Sequence, residues 1–404
     1  MRFILTILFG LTYAANAQQT FEIVVENTLN NPRKDQPVVI DLKPFGKVHR
    51  AVVTLGRREI PSQLDDLDLD EQMDELCYLA DLDSKQKLTY RIQLFSEGEQ
   101  APYPARVFAE MLMRNDKVKE KNKHNNYVAS LSVRGDCANS YNLLHHHGVC
   151  FESELNGIRI YFDKRQTLDL YGKFTPRLEL EATQFYTSKE QKDEGYGDDV
   201  LWVGNTFGLG AMRGWNGTEP TMVEPVKTRT QRVVSYGPLR TIVEVIDQGW
   251  KVNPEMKPVN MTIRYTQYAG HRDTDVDVMF SRPADDYRFA TGLINVKGST
   301  EYSDHKGLRA CWGTDYPSTD TIKWKPETVG LAILLPAKHI VSEEVANKDN
   351  YPFVVKADGR NLSYKVAYTS ANESFGFADA KAWFDWLDEW RSEVEHPVRV
   401  KVVR

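Results

Sequence analysis

The sequence predicts a mainly β protein built from antiparallel strands. Short runs rich in β-branched and aromatic residues, such as residues 21–25 and 37–42, are separated by turns that contain Gly, Pro, Asn or Asp. These runs do not alternate with helices, and the chain contains none of the motifs GxGxxG, GxxxxGK[ST] or GxSxG. The pattern disfavours a nucleotide-binding α/β fold and favours packed antiparallel sheets.

Residues 1–17 predict a signal peptide. Arg2 precedes an apolar stretch over residues 3–15, and Ala15-Asn16-Ala17 is the small-x-small pattern that a signal peptidase cleaves. The stretch is too short to span a bilayer as a stable helix, and no cysteine follows the cleavage site to carry a lipid anchor. We therefore expect a periplasmic or secreted protein without membrane insertion, whose mature chain begins at Gln18.

The mature chain is expected to divide into a small and a large β-domain. Further β-rich runs at residues 75–82 and 88–95 predict a small β-sandwich over residues 18–100, and the polar stretch at residues 96–104 is the best linker candidate. Residues 101–404 contain many more strand patterns and one helix at residues 379–395. In that helix Trp383, Leu387 and Trp390 follow one another at three- and four-residue steps, which predicts packing on a sheet. A tryptophan platform for sugars is the alternative.

Composition excludes several classes of function. The 51 basic and 57 acidic residues give a net charge of −6, so the chain lacks the basic surface that nucleic acid requires. No sequence motif requires a cofactor, and the sequence does not decide whether the protein binds a metal ion. The cysteines form no CxxC pair, which disfavours a structural zinc site. Cys137 and Cys150 could close a short loop, whereas buried free thiols at Cys77 and Cys150 are the alternative.

Titratable side chains are concentrated in residues 134–173. Three of the nine histidines, His145, His146 and His147, stand side by side there, and in a strand His146 would face away from the other two. A histidine beside a carboxylate can act as an acid–base pair or bind a metal ion. A polar turn with structural histidines is the alternative. The candidate catalytic residues are His146, His147, Glu152, Glu154, Arg159 and Tyr171, and Asp163 and Lys173 are candidate substrate-binding residues.

A second stretch, residues 195–217, combines seven glycines with charged and aromatic side chains. Glycines let the backbone approach a ligand closely, and a tryptophan beside an arginine suits a sugar ring that carries a carboxylate. A glycine-supported loop with structural tryptophans is the alternative. Two smaller groups lie at residues 270–273 and 305–316. Together these stretches add the candidate substrate-binding residues Asp199, Trp202, Arg213, Trp215, Arg272, His305, Trp312 and Asp315.

The run HHHGVCFESELNGIRIYFDKRQTLDLYGK at residues 145–173 resembles an exported Bacteroidetes family known as domain of unknown function 4861. The same holds for GDDVLWVGNTFGLGAMRGW, for CWGTDYP and for the Trp-rich helix. The resemblance covers most of the mature chain and implies a galactose-mutarotase-like β-supersandwich. It also implies an association with polysaccharide utilisation, and thus with complex glycans that contain uronic acids. The family label itself implies no reaction.

Functions of different classes remain open at this point. The first is an enzyme that degrades a uronate-containing oligosaccharide or polysaccharide by β-elimination or hydrolysis. The second is a non-catalytic glycan-binding protein that uses Trp202, Trp215 and Trp312 as stacking surfaces, and an aldose epimerase-like activity is a third.

The two degradative reactions need different side chains. Elimination needs a cation for the carboxylate, a base and an acid. Arg159, Arg213 or Arg272 could supply the cation, His147 or Tyr171 the base, and a tyrosine or histidine the acid. Hydrolysis needs two carboxylates about 5–10 Å apart, for which the candidates are Glu152, Glu154, Asp163 and Asp199. We expect the site where residues 146–159 meet residues 199–215 and 305–315, with His147 in contact with the ligand.

Overall fold

The computed structural model describes residues 19–114, 126–137 and 139–403. The predicted signal peptide lies outside these residues. In chain order the described strands are β1 (Gln19–Glu26), β2 (Arg33–Asp41), β3 (Arg50–Leu55), β4 (Arg58–Ile60), β5 (Ser62–Asp65), β6 (Glu75–Leu82), β7 (Lys87–Phe95), β8 (Val107–Glu110), β9 (Ser130–Arg134), β10 (Gly148–Ser153), β11 (Gly157–Tyr161), β12 (Leu168–Gly172), β13 (Asp198–Asp199), β14 (Arg213–Trp215), β15 (Pro220–Thr221), β16 (Thr228–Tyr236), β17 (Arg240–Trp250), β18 (Val259–Tyr268), β19 (Asp273–Phe280), β20 (Phe289–Ile294), β21 (Thr300–Ser303), β22 (Leu308–Asp315), β23 (Glu327–Leu334), β24 (Ile340–Glu343), β25 (Asn350–Val355), β26 (Asn361–Ser370) and β27 (Arg399–Val403). The described α-helices are α1 (Leu180–Thr183), α2 (Lys189–Asp193) and α3 (Ala380–Glu395).

Two small sheets pack face to face at the N-terminus. Their strand orders are β27-β1-β7-β3-β4 and β2-β6-β5. Alternate residues of each strand, such as Ile23 and Val25 on β1 and Val38 on β2, enter one shared apolar core. The last strand of the chain, β27, returns to pair with β1, so both ends of the described chain lie in the same sheet. The sequence pattern did not indicate this return.

Three larger sheets enclose the main core. A nine-stranded sheet runs in the order β21-β22-β23-β26-β19-β18-β17-β16-β9. Two five-stranded sheets, β13-β12-β11-β10-β8 and β15-β14-β20-β25-β24, accompany it. Their inner faces share one cluster of buried residues that includes Ile160, Val243 and Ile263. The strand pairings within the described sheets are antiparallel, so the predicted mainly β, antiparallel class is confirmed.

Helix α3 covers one end of the nine-stranded sheet. Asp379 caps it, because its carboxylate accepts a hydrogen bond from the backbone N–H of Ala382 at 2.9 Å. Trp383, Leu387 and Trp390 are buried against β22, β23 and β26, which confirms the predicted helix. In the described part of the chain, no helix is long and apolar enough to cross a membrane.

The described cysteines form no disulfide. Cys77, Cys150 and Cys311 are buried, and Cys137 is exposed. The structure therefore agrees with buried thiols at Cys77 and Cys150 rather than with a loop closed by Cys137 and Cys150.

Candidate functional site

Three neighbouring strands bring opposite charges together on one face of the sheet β13-β12-β11-β10-β8. On β11, Ile158 and Ile160 point into the main core, so the intervening Arg159 points to the other face. The antiparallel register places Arg159 opposite Asp169 on β12, and β13 brings Asp199 alongside β12. Cross-strand neighbours of opposite charge therefore meet here.

Arg159 is the centre of a dense hydrogen-bond network. Its Nε and Nη2 donate to Asp169 Oδ2 at 2.8 and 2.5 Å, and Nη2 also reaches Asp199 Oδ2 at 3.1 Å. Nη1 donates to the hydroxyl oxygen of Tyr186 at 3.1 Å, and the Tyr161 hydroxyl donates to Asp169 Oδ2 at 2.7 Å. We call these five residues the Arg159 cluster: Arg159, Tyr161, Asp169, Tyr186 and Asp199.

The two carboxyl groups of the Arg159 cluster differ in exposure. The Asp169 side chain is 1% exposed and that of Asp199 is 17% exposed. Burial, and then the charge of Asp169, raise the pKa of Asp199 well above its ordinary value, and Arg159 opposes this rise only in part. The cluster therefore places two carboxyl groups on one guanidinium, and burial disfavours the charged form of the more exposed one, Asp199.

His147 lies in the turn before β10, not in a strand as predicted, and its backbone has a left-handed φ of +67°. Its ring stacks on Tyr141 at 3.8 Å, and its Nδ1 is 3.1 Å from the Tyr141 carbonyl oxygen. Because a carbonyl only accepts, Nδ1 carries the proton and Nε2 keeps its lone pair. Among the described residues, none hydrogen-bonds to Nε2. Burial, and then the charge of Arg159, lower the pKa of His147 to about 4, so the imidazole is neutral at neutral pH.

Aromatic rings and a second guanidinium surround His147. The rings of Tyr161 and Tyr186 stand nearly perpendicular to the imidazole, with centroids 6.4 and 6.5 Å away. The Arg165 guanidinium lies 4.8 Å from the Tyr141 ring and 4.7 Å from the Tyr161 ring. It pairs with Asp163 at 2.6 Å, and both residues line a cavity of about 360 Å³ beside Tyr141. A neutral base, phenols and a cation therefore lie within one small region.

His146 points into the interior, away from this region. Its Nε2 is 2.7 Å from Glu110 Oε1, and its Nδ1 is 2.9 Å from the Gln184 carbonyl oxygen. Burial raises the pKa of Glu110 to about 8, so at neutral pH its carboxyl group is mostly protonated and can donate to Nε2. The prediction that His146 acts on a ligand is therefore corrected: the side chain is fully buried and both ring nitrogens have partners.

Glu152, Glu154 and Lys173 do not join His147. Glu152 and Lys173 form a fully buried ion pair at 2.5 Å, and Glu152 also accepts backbone hydrogen bonds from the start of α1. Glu154 pairs with Arg106 at 2.5 Å. At about 3.3 Å per strand residue, Glu152 lies roughly 16 Å along β10 from His147. The predicted union of these carboxylates with His147 is corrected, because they lie at the other end of the strand.

Three further candidate site residues are buried and bonded to other groups in the interior. Tyr171 is buried, and its hydroxyl donates to the Gly197 carbonyl oxygen at 2.8 Å. Arg213 is buried and donates to the carbonyl oxygens of Met212 and Thr206, and burial lowers its pKa to about 10. Arg272 pairs with Glu373 at 2.6 Å. None of these contacts is with the Arg159 cluster.

The segment at residues 199–215 does meet the end of β22. The backbone N–H of Trp202 donates to the Tyr316 carbonyl oxygen at 3.2 Å, and the Trp202 side chain is 49% exposed. Asp315 accepts from the Tyr316 N–H at 2.8 Å. The other tryptophans and His305 lie elsewhere: Trp215 is half-buried on β14, Trp312 packs against α3, and His305 is exposed near Glu343.

Sequence reasoning missed several residues of the site. Arg165 stands two residues after the predicted Asp163, and Asp169 faces Arg159 across a hairpin, so a hairpin register drawn from the sequence could have found both. Tyr141 and Tyr186 reach the site through loop packing, for which the sequence carries no periodic signal.

Two groups of described side chains place three possible metal ligands within 4.8 Å of one another. One is Glu110, His146 and Cys150, which is buried and already connected by the hydrogen bond between Glu110 and His146. The other is Asp66, Asp68 and Asp74 in the N-terminal sandwich. Neither includes a residue of the Arg159 cluster.

Comparison with solved structures identifies two proteins with a fold similar to that of this chain. A glycosyl hydrolase family 38 protein from Enterococcus faecalis aligns with 98% of this chain at a TM-score of 0.50 and 10% identity. An alpha-mannosidase from Enterococcus faecalis V583 aligns with 97% of it, also at a TM-score of 0.50 and 10% identity. The chain spans about half the length of both, 49% and 47%.

Sequence comparison shows the family. No protein of curated function matches the chain. The family model described as Domain of unknown function (DUF4861) matches residues 25–400, which include the Arg159 cluster. The chain therefore belongs to the DUF4861 family.

Proposed function

We propose that this protein is a carbohydrate-active enzyme that cleaves a uronate-containing glycan by β-elimination, with His147 as the base. The observation that carries the proposal is the state of His147: a neutral imidazole with its Nδ1 proton bound to Tyr141 and its Nε2 lone pair without a described partner. The names of the matched structures, a glycosyl hydrolase and a mannosidase, support a carbohydrate ligand.

In the proposed step, Nε2 of His147 takes the proton from C5 of the uronate. The C–H electrons form the C4–C5 double bond, and the bond from C4 to the glycosidic oxygen breaks. The leaving oxygen takes a proton from the Tyr186 hydroxyl, which belongs to a 40% exposed residue and is held by Arg159 Nη1. Arg159 then stabilises the phenolate, and Arg165, which is paired with Asp163 in the free protein, binds the uronate carboxylate.

Hydrolysis by two carboxylates has less support. Asp169 and Asp199 contact the same guanidinium nitrogen, and Asp169 is buried, so the cluster offers one partly exposed carboxyl group. Glu152 and Glu154 lie at the other end of β10, and Asp163 is paired with Arg165. These candidates therefore do not form the pair of carboxyl groups that would flank a glycosidic bond in hydrolysis.

A panel of uronate polysaccharides tests the proposal. We expect new reducing ends together with the ultraviolet absorbance of the C4–C5 double bond. Reducing ends without that absorbance would indicate hydrolysis, and exchange of a sugar proton for solvent deuterium without cleavage would indicate an epimerase. Binding without either change would indicate a glycan-binding protein, and each of these three results would overturn the proposal.

We also propose that the protein is exported, on the basis of the Ala15-Asn16-Ala17 pattern. N-terminal sequencing of the protein from its native host should begin at Gln18. A chain that still begins at Met1 would contradict this.

A further inference from the structure

A cavity of about 810 Å³ lies between the N-terminal sandwich, the nine-stranded sheet and α3. Residues of β2 form one wall, β19 and β26 form the floor, and α3 with the segment before it forms the other wall. No residue of the Arg159 cluster lines it, and neither does His147. Its volume is in the range of about 300–1,000 Å³ that is typical of small-molecule sites.

The wall formed by α3 is a rigid aromatic surface. The Trp386 ring is nearly parallel to the ring of Trp383, with centroids 5.2 Å apart and an angle of 16°, and to that of Trp390, at 5.9 Å and 9°. Trp383 is buried in the contact between helix and sheet, whereas the half-buried Trp386 and the largely buried Trp390 line the cavity together with Phe377. Because its neighbours hold the ring, the part of Trp386 that lines the cavity is a rigid apolar surface, and a ligand that packs on it loses little side-chain entropy there.

The floor carries donors and acceptors side by side. Lys365 lies 3.3 Å from Asp273 and also contacts Asp275, and the side chains of Lys365 and Asp275 are 28% and 30% exposed. His271 is held by Asp273 Oδ1 at 3.0 Å and by the Asp35 carbonyl oxygen at 2.8 Å. Both of its partners only accept, so both ring nitrogens carry protons and His271 holds β2 in place rather than acting as a base.

We propose that this cavity binds a pyranose oligosaccharide as a second carbohydrate site, which rests on the proposed function. A pyranose ring has an apolar face of C–H groups and a rim of hydroxyls. The apolar face fits Trp386, and neighbouring hydroxyls fit the adjacent ammonium and carboxylate of Lys365 and Asp275. Both ring nitrogens of His271 carry protons and Lys365 is paired with two carboxyl groups, so we assign binding and no reaction to this site.

Calorimetric titration tests this in the His147→Asn variant, which binds without consuming the ligand. The probes are oligogalacturonates, oligoalginates and neutral manno-oligosaccharides. We expect two bound oligosaccharides per chain, and Trp386→Ala or Asp275→Asn should weaken one of them about tenfold. Asp275→Asn is nearly isosteric and partly exposed, so it remains informative if Trp386→Ala fails to fold. Lys338→Met, at an exposed pair with Asp358, is the control and should change nothing.

Binding that is unchanged by both Trp386→Ala and Asp275→Asn would overturn the second site. The titration does not depend on turnover. If the wild-type protein cleaves no uronate glycan but these substitutions weaken binding, the proposed reaction is refuted and the second site is kept. If the wild-type protein is active but these substitutions leave binding unchanged, the second site is refuted and the proposed reaction is kept.

Discussion

Replacing His147 with asparagine separates its chemistry from its structural role. Asparagine tolerates the left-handed backbone at this position, and its amide N–H can still donate to the Tyr141 carbonyl oxygen. It cannot take a proton from a sugar carbon. His305→Asn is a matched control, because His305 also has a left-handed φ, +54°, and is exposed away from the Arg159 cluster.

We expect His147→Asn to lower kcat by about 10²- to 10⁴-fold, the usual contribution of a general base. The lost ring stacking on Tyr141 costs about 1 kcal/mol, so the melting temperature should fall by only a few degrees. The His305→Asn variant should keep the wild-type kcat and the wild-type melting temperature. A His147→Asn variant that retains the wild-type rate, or that unfolds while His305→Asn does not, would refute the assignment of His147 as the base.

The pH dependence gives an independent check. Since the pKa of His147 is lowered to about 4, the base is active above that pH, and kcat/KM should fall about tenfold per pH unit below it. Any residual activity of His147→Asn should lack this acid limb. An acid limb centred near 6.5, the ordinary value, would show that burial and Arg159 do not depress the pKa.

Further substitutions test the cluster and its supports. Tyr186→Phe should lower kcat by about 10²-fold or more, because the proposed acid is lost. Asp199→Asn should change kcat by no more than a few-fold, since the amide oxygen can still accept from Arg159, whereas Asp169→Asn should destabilise the fold by about 3 kcal/mol because the buried guanidinium loses the carboxyl group that binds its Nε and Nη2. Lys173→Met should cost about as much in urea unfolding, because the buried carboxylate of Glu152 loses its cationic partner. Glu110 has a raised pKa, so wild-type stability should fall as the pH rises from 4.5 to about 8, and Glu110→Gln should remove this fall.

Matched controls and contrary outcomes accompany these variants. Lys164→Met removes an exposed pair with Glu224 and should cost no more than about 1 kcal/mol. Equal losses for Lys164→Met and Lys173→Met would contradict the buried ion pair. Equal losses of stability in the Asp169→Asn and Asp199→Asn variants would contradict the larger role assigned to Asp169, and an unaltered dependence of stability on pH in Glu110→Gln would contradict the raised pKa of Glu110.

Local patterns in the sequence predicted those parts of the structure that depend on neighbouring residues. Helix α3 was predictable because its apolar stripe repeats every three or four residues and Asp379 stands at its start. The strand β11 was predictable because Ile158 and Ile160 alternate with polar residues. The mainly β class follows from such runs and from the absence of alternating helices.

The tertiary structure alone decided which titratable residues meet. His146, His147 and Glu152 lie close together in the sequence. In the structure, His147 lies in a turn, where it contacts Tyr141 and is affected by the charge of Arg159, whereas His146 and Glu152 are buried in internal pairs. Tyr186 joins from 27 residues beyond Arg159. Charge, burial and proton positions depend on all the atoms around a side chain, and long-range packing brings most of those atoms together. The sequence therefore determined the main elements and the stretch in which titratable residues are concentrated, and packing decided which of these residues meet and how their pKa values shift.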